Sequence, residues 1–376
     1  MTTLRVILDD VPATRAGGTA RYAEELTRQL IATAPRGSNV AGFVSASPES
    51  DYERLAERLP GLAELYKSPL ARRELAAAWQ HGFTRLPGTG MVHATSLLAP
   101  ISRHDRSNGR STQIAVTIHD AVAWTDPELL SSRQLSWSRA MARRAERFAD
   151  AVVVPTHAVA QDLAEQFFFG DRLRVIGGGP SSRLRPVSDA AERRKRLKLA
   201  DDYLLTVPGL DPRLGLDALI AAIADLPGVP LVIVGAGQDA ESIAAAGAAA
   251  GLAPDRIVVL DLLADEDLAA VLQGASQFIQ PSRAGGFGLA IVEAFAFGLP
   301  VIHSDAPALV EVAADAGVVV VRGEPEGYAG RLADAIRGVR EDSALRDRLC
   351  VASSDRARAF SWRDSAEKVW QLHADL

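Results

Sequence analysis

The stretch FIQPSRAGGFGLAIVEAFAFGLPVIHSD, residues 278–305, constrains the fold of this chain more than any other. It reads as an apolar strand, a glycine-rich turn, a helix opening near Phe287 and ending at Gly298-Leu299-Pro300, and a second apolar strand. Glycines in the turn let backbone approach a ligand closely, and the opening helix directs unpaired N–H groups and its positive dipole end at the same place. The stretch is a candidate anion cradle, although turns of this kind also join strand to helix where nothing binds. Its rhythm recurs around it. Apolar runs at YLLTV, PLVIVGAG, RIVVL, FIQPS, PVIHSD and GVVVV alternate with helical segments, which implies a parallel, doubly wound sheet.

The amino-terminal half shows the same alternation. A strand-like run, Leu4 to Leu8, precedes a loop containing Gly17 and Gly18, and TARYAEELTRQLIATA then places Tyr22, Leu26, Leu30 and Ile31 at helical spacing. This is the opening of a nucleotide-type βα unit, a pattern that a tight turn without a ligand also satisfies. After a strand near Val40 to Val44, the charged and leucine-rich residues 51–86 suggest helices covering the sheet. MVHATSLLAP and QIAVTIHDAVAW add two strand-then-loop units, and His93 and His119 each fall where an apolar strand ends. Open α/β sheets bind ligands beyond the carboxyl ends of their strands. His119 is the sharper candidate because a polar His-Asp pair directly follows IAVTI, with a structural histidine at a strand end as the alternative. Asp120 reads as an orienting partner or a helix cap.

At 376 residues the chain has room for roughly two to three domains. Hydrophobic residues at 48% against 23% charged describe a globular chain with sizeable cores. A net charge of -6 argues against general nucleic-acid binding. A single cysteine, Cys350, excludes a disulfide framework and a multi-cysteine metal site, and neither histidine has partners at zinc spacing. MTTLRVILDD lacks the tripartite pattern of a signal peptide, and no apolar run reaches about 18 residues. The expected location is cytoplasmic.

Residues 131–149 form a basic amphipathic helix whose Arg139, Arg143, Arg144 and Arg147 suit solvent, an anionic membrane face or an anionic acceptor. The triple glycine Gly177 to Gly179, with Pro180 and Pro186, breaks regular structure and marks a linker over 177–200. The expected layout is an amino-terminal Rossmann-like domain over 1–176, a second over 201–358, and a closing helix over 359–376. In that helix Ser361 is the cap, and Trp362, Ala366, Val369, Trp370 and Leu372 share one face.

Pro281, Ser282, Gly286, Phe287, Gly288, Glu293, Ala294, Gly298, Pro300 and Val301 together resemble the donor-site signature of family 4 glycosyltransferases. The resemblance covers nearly the whole chain. TIHDAVAWTDPE is similar to the family's Thr-x-His-Asp segment, frequent among mannosyl- and rhamnosyl-transferring members, and VVVPTHAVAQDL to its Val-Ser-x-x-Ala-x-Asp-Leu segment. The resemblance implies the glycosyltransferase-B fold: two Rossmann-like α/β domains with doubly wound parallel sheets facing across a cleft, the donor held mainly by the second. It implies anomer-retaining transfer without a metal or other cofactor. It makes His119 the residue beside the donor sugar, with Gly17 and Gly18 in the cleft. Backbone N–H groups from Gly286, Phe287, Gly288 and Leu289 then face the diphosphate, and Glu293 accepts the ribose hydroxyls.

Three family residues are missing. Gly285 stands where the first Glu of the motif belongs, Gly209 where an Arg belongs and Leu214 where a Lys belongs. Losing one transition-state donor costs ~3–4 kcal/mol, so this pattern weakens the donor subsite unless neighbours compensate. Arg213 and Arg283 are the candidates, because an Arg fork matches phosphate oxygens. Two readings follow: a hexosyltransferase using a sugar nucleotide and a glycan or glycoconjugate acceptor, or a non-catalytic homologue serving as a partner or sugar-binding subunit. A weak contact with a membrane surface, and in the second case a protein partner, complete the expected partners. A nicotinamide-dependent oxidoreductase is disfavoured, since no tight Gly-x-Gly-x-x-Gly follows the first strand with an acidic residue about 20 positions on.

Overall fold

A computed structural model describes residues 2–8, 17–84, 86, 90–104, 112–207 and 211–376. The chain divides into two compact units, residues 1–178 with 361–376, and residues 179–360. Residues 179–200, expected as linker, belong to the second unit. Leu184 joins its core, and Arg193 and Arg194 tie the helix they occupy to Asp267 and the Ala270 carbonyl.

The first unit is a seven-stranded sheet of β1 (Thr2–Ile7), β2 (Ser38–Ala46), β3 (Glu64–Ala71), β4 (Met91–Ala94), β5 (Gln113–Thr117), β6 (Ala151–Val154) and β7 (Leu173–Val175). The order is β3-β2-β1-β4-β5-β6-β7, and every pairing is parallel. Its helices are α1 (Gly18–Ala32), α2 (Glu49–Arg58), α3 (Arg72–His81), α4 (Val122–Thr125), α5 (Ser132–Phe148) and α6 (His157–Ala164). Val92, Ile114, Val116, Val152 and Val154 form one core with Leu75 and Trp79 of α3 and Met141, Ala142 and Ala145 of α5. Strand β3 corrects the expectation of helices alone over 51–86. It is an edge strand with Glu64, Lys67 and Pro69, largely open to solvent, so it lacks the apolar run that betrays a buried strand.

The second unit opens with α7 (Ala190–Arg196). Its sheet contains β8 (Leu204–Thr206), β9 (Leu231–Val234), β10 (Ile257–Leu260), β11 (Gln277–Gln280), β12 (Val301–Ser304) and β13 (Gly317–Val320), all parallel in the order β10-β9-β8-β11-β12-β13. The intervening helices are α8 (Leu216–Ala224), α9 (Ala240–Ala249), α10 (Asp265–Gly274), α11 (Leu289–Ala296) and α12 (Pro307–Ala313), followed by α13 (Pro325–Glu341) and α14 (Ser343–Ala357). Successive strand residues serve opposite cores. Leu205, Val232, Val234, Phe278 and Val301 face one, and Leu204, Leu231, Ile233, Ile279 and Ile302 the other. Burial on both faces is why these strands read as unbroken apolar runs.

The last helix, α15 (Trp362–Asp375), returns to the first unit. The Ser361 hydroxyl accepts the Asp364 N–H at its start, and Trp362, Ala366, Val369, Trp370 and Leu372 are buried. Trp370 Nε1 donates to the Leu30 carbonyl of α1 at 3.2 Å, and Trp362 stacks edge-on to Tyr22.

Candidate functional site

In each sheet the strand order reverses beside the strand that starts it, between β1 and β4 in the first unit and between β8 and β11 in the second. A crevice opens at the carboxyl ends of such a pair because the crossovers leave in opposite directions. Arg213, Arg283 and residues 285–289 lie at the second of these places, and Gly17, Gly18 and His119 at the first.

In the second unit, β11 leads into the turn 281–288. The turn is held from several sides: the Tyr328 hydroxyl of α13 donates to the Pro281 carbonyl at 3.1 Å, the Ser304 hydroxyl to the Ser282 carbonyl, and the Arg283 N–H to the Arg213 carbonyl at 2.7 Å. The last bond joins the loop after β11 to the loop after β8. Gly215 makes that approach achievable: its φ is +68°, and a Cβ there would lie 2.3 Å from the Pro281 carbonyl oxygen. Helix α11 opens at Leu289, two residues after the expected Phe287, because Gly288 sits in the left-handed region with φ 75° and cannot continue a helix. The N–H groups of Leu289 and Ala290, which lack partners within the helix, therefore point off its start beside Gly286 to Gly288, whereas the Ile291 N–H donates to the Gly288 carbonyl at 2.9 Å. Gly285 is exposed, and a Cβ there would meet nothing within 4 Å. Phe287 turns its ring back onto Phe360, 5.8 Å away, so it contributes backbone to the turn and side chain to the core. Glu293, one turn into α11, is buried.

Three arginines surround this turn, each with a carboxylate. Arg213 grips Asp211 with Nε at 2.9 Å and 3.0 Å from its two oxygens. Burial alone would raise the Asp211 pKa, but the Arg213 guanidinium and N–H hold it below the ordinary value. Arg283 pairs with Asp217, the first acidic residue of α8. Arg322, after β13, contacts Asp305 at 2.5 Å and donates to the Arg283 carbonyl. Sequence reasoning missed Arg322, although it follows the apolar run GVVVV at a carboxyl strand end. Leu214 ends a short 3-10 turn, Pro212–Leu214, and brings no charge. Gly209 lies outside the described residues.

In the first unit, Thr95 follows β4, and its hydroxyl donates to the Ile7 carbonyl at 2.8 Å, bridging the strand pair at which the order reverses. His119 follows β5 and places Nε2 2.7 Å from the Thr95 carbonyl. A carbonyl can only accept, so Nε2 carries the proton. Tyr22 packs edge-on against the imidazole with ring centroids 4.8 Å apart, and burial pushes its hydroxyl up to about 12. Asp120 accepts the N–H of Val122, the first residue of α4, at 3.1 Å. Gly17 is the N-cap of α1 and Gly18 its first residue, both exposed at the same edge of the sheet; the loop 9–16 before them is outside the described residues.

His93 is different. It lies inside β4, fully buried, with ring nitrogens that have no hydrogen-bond partner among the described residues. It is a core residue, not one at a ligand-facing strand end. Along α5, Arg139 donates to the Ala123 carbonyl and Arg144 to the Ile101 carbonyl, whereas Arg143 and Arg147 are exposed. Among the described residues no three His, Cys, Asp or Glu side chains are grouped to hold a metal ion.

The family model described as Glycosyltransferase Family 4 matches residues 16–180, and that described as Glycosyl transferases group 1 matches residues 188–350. A D-inositol 3-phosphate glycosyltransferase from Nocardioides is 28% identical over 248 residues, 60% of this chain and 53% of that protein. The match thus spans about half the length of the first curated relatives. An Escherichia coli O-antigen chain mannosyltransferase B is 24% identical over 92% of this chain and 93% of its own. Among solved structures, Anabaena HepE in complex with UDP and glucose superposes with a TM-score of 0.76 at 19% identity, covering 100% of both chains. Two parallel α/β units with this strand order, matched one by each family model, place the chain in the group 1, family 4 glycosyltransferases, with the glycosyltransferase-B fold.

Proposed function

We propose that the chain transfers a hexose from a nucleotide-diphospho-sugar to a glycan or glycoconjugate acceptor, with retention of anomeric configuration and without a metal ion. The observation that carries this reading is the turn 281–288, pinned at the β8/β11 reversal with the start of α11 directed out of it. As the bond to the leaving diphosphate breaks, negative charge grows on its oxygens. N–H groups held rigidly toward that charge stabilise it without reorganising during the reaction. Glu293 then accepts the ribose hydroxyls, and His119, its tautomer set by Thr95, lies beside the donor sugar. The fold neighbour HepE has also been solved with UDP-glucose, a donor of the proposed class.

Arg213 and Arg283 supply the cationic charge in place of the missing Arg and Lys. The Asp217 side chain is 67% exposed in its pair with Arg283. Exposed ion pairs are worth about 0–1 kcal/mol, so a diphosphate can take over that arginine at little cost. Asp211 holds Arg213 through several bonds and is the stronger competitor. This self-neutralised arrangement, with Leu214 and Gly285, favours a second reading: a non-catalytic homologue that binds a sugar or a partner.

Calorimetry with uridine, guanosine, adenosine and thymidine diphosphates separates the two. Catalysis requires binding of at least one, weakened about tenfold or more by Arg213→Ala, the scale of a lost charge-assisted hydrogen bond. Failure of all four to bind would sink the catalytic reading. If donor hydrolysis emerges only after Gly209→Arg, Leu214→Lys and Gly285→Glu are combined, the non-catalytic reading holds.

A further inference from the structure

We infer that Arg322 is a positioning residue of the donor turn: it fixes the peptide at Arg283 so that the glycine segment beyond stays aimed at a diphosphate. This inference rests on the donor-site reading above and adds a residue to it.

Three consecutive carbonyls of the turn are taken by donors from three separate places. Pro281 accepts the Tyr328 hydroxyl of α13, Ser282 the Ser304 hydroxyl at the end of β12, and Arg283 the Arg322 guanidinium from the segment after β13. In a trans peptide the C=O and the following N–H point opposite ways, and no peptide among the described residues is cis. Holding the carbonyls of 282 and 283 on one side therefore sends the N–H groups of Arg283 and Ala284 to the other. There both meet the Arg213 carbonyl, at 2.7 and 3.4 Å. Residues 281–284 are thus gripped from both sides, and Arg322 holds the last carbonyl of the gripped half. Three of the next four residues are glycine, the residue with the widest backbone freedom, so the direction of the N–H groups beyond depends on that anchor.

Arg322 is built as a strut. Nε contacts Asp305 at 2.5 Å and Nη1 donates to the carbonyl, so a carboxylate neutralises the charge and two positions of the fork are taken. Its backbone is held in turn by Arg331 of α13, which donates Nε to the Val321 carbonyl at 2.8 Å and Nη2 to the carbonyls of Arg322 and Glu324. A guanidinium fork reaches carboxylate and carbonyl together, whereas a lysine ammonium is a single point.

The test uses the full chain as wild type, Arg322→Lys and Arg322→Met. Calorimetry measures the uridine, guanosine, adenosine and thymidine diphosphates against their monophosphates, and hydrogen exchange follows residues 281–290 without nucleotide. Both variants should bind the diphosphate at least about tenfold more weakly, with the monophosphate changed less than about threefold. Exchange over 281–290 should quicken at least about tenfold while the strands of the second unit keep their protection. Arg322→Lys decides between charge and geometry, because it keeps a cation beside Asp305 without the fork. Wild-type diphosphate affinity in the lysine variant would make Arg322 a simple charge. Equal losses for both classes of nucleotide, or protection lost throughout the unit, would make it a general structural support. Either result overturns the proposal. If the wild type binds none of the four diphosphates, the donor-site reading fails and the proposal with it; if it binds one but exchange over 281–290 is unchanged in the variants, the proposal alone fails.

Discussion

Two glycines of the candidate donor site have opposite tolerances, and the difference is readable from what surrounds each. Gly215 combines a left-handed φ with a carbonyl oxygen where a Cβ would go, and both belong to backbone that cannot step aside. Gly215→Ala should destabilise the second unit by at least about 2 kcal/mol and loosen the junction between the β8 and β11 loops. Gly285 has open space and an unstrained φ, so Gly285→Ala should change stability by less than about 0.5 kcal/mol. Urea denaturation of the two variants gives the comparison; equal losses would show that the turn is not held as described. The same open space lets Gly285→Glu be introduced as a chemical test without repacking. At His119 a carbonyl at a strand end sets the tautomer, and the Tyr22 ring packs against the imidazole.

At the scale of elements, α15 closes one side of the first unit by packing on α1. It adds two tryptophans to α1, one edge-on to the ring of Tyr22 and the other bonded to the Leu30 carbonyl. Tyr22 in turn touches His119, so the carboxyl-terminal helix supports the candidate site through a single aromatic neighbour. Trp370 is 8% exposed, and Trp370→Ala should cost about 3–5 kcal/mol. Thermal melting followed by tryptophan fluorescence reads that loss, and a shift of only a degree or two would show that α15 is peripheral to the unit. Helix α5 presents the contrasting case. Its inner face is core, and its outer face carries the exposed Arg143 and Arg147.

At the scale of the whole molecule, acid stability should be set partly by a buried histidine pair. His93 and His373 lie with ring centroids 5.7 Å apart. Burial, aided for His93 by its neighbour, lowers their pKa values to about 3 and about 4 from 6.5. The unfolded chain therefore binds protons that the folded one refuses, and stability falls as pH drops from 6.5 toward 4. His373→Leu should flatten that slope in melting experiments across this window; an unchanged slope would assign the acid sensitivity to other groups. The alternation of strand and helix, the two parallel sheets, the turn 281–288 and the capped closing helix were all legible in the chain, because period and glycine placement are local properties. Edge strand β3 was not, since an exposed strand needs no apolar pattern. Nor was the burial of His93, because one histidine in an apolar run looks the same at a strand end as within it. The sequence by itself determined that Arg213, Arg283 and Arg322 each follow an apolar run. Only the tertiary structure decided their partners: Asp211 with Arg213, Asp217 with Arg283, and Asp305 with Arg322. Ion pairing depends on which loops the sheet order brings together, and no local spacing encodes that.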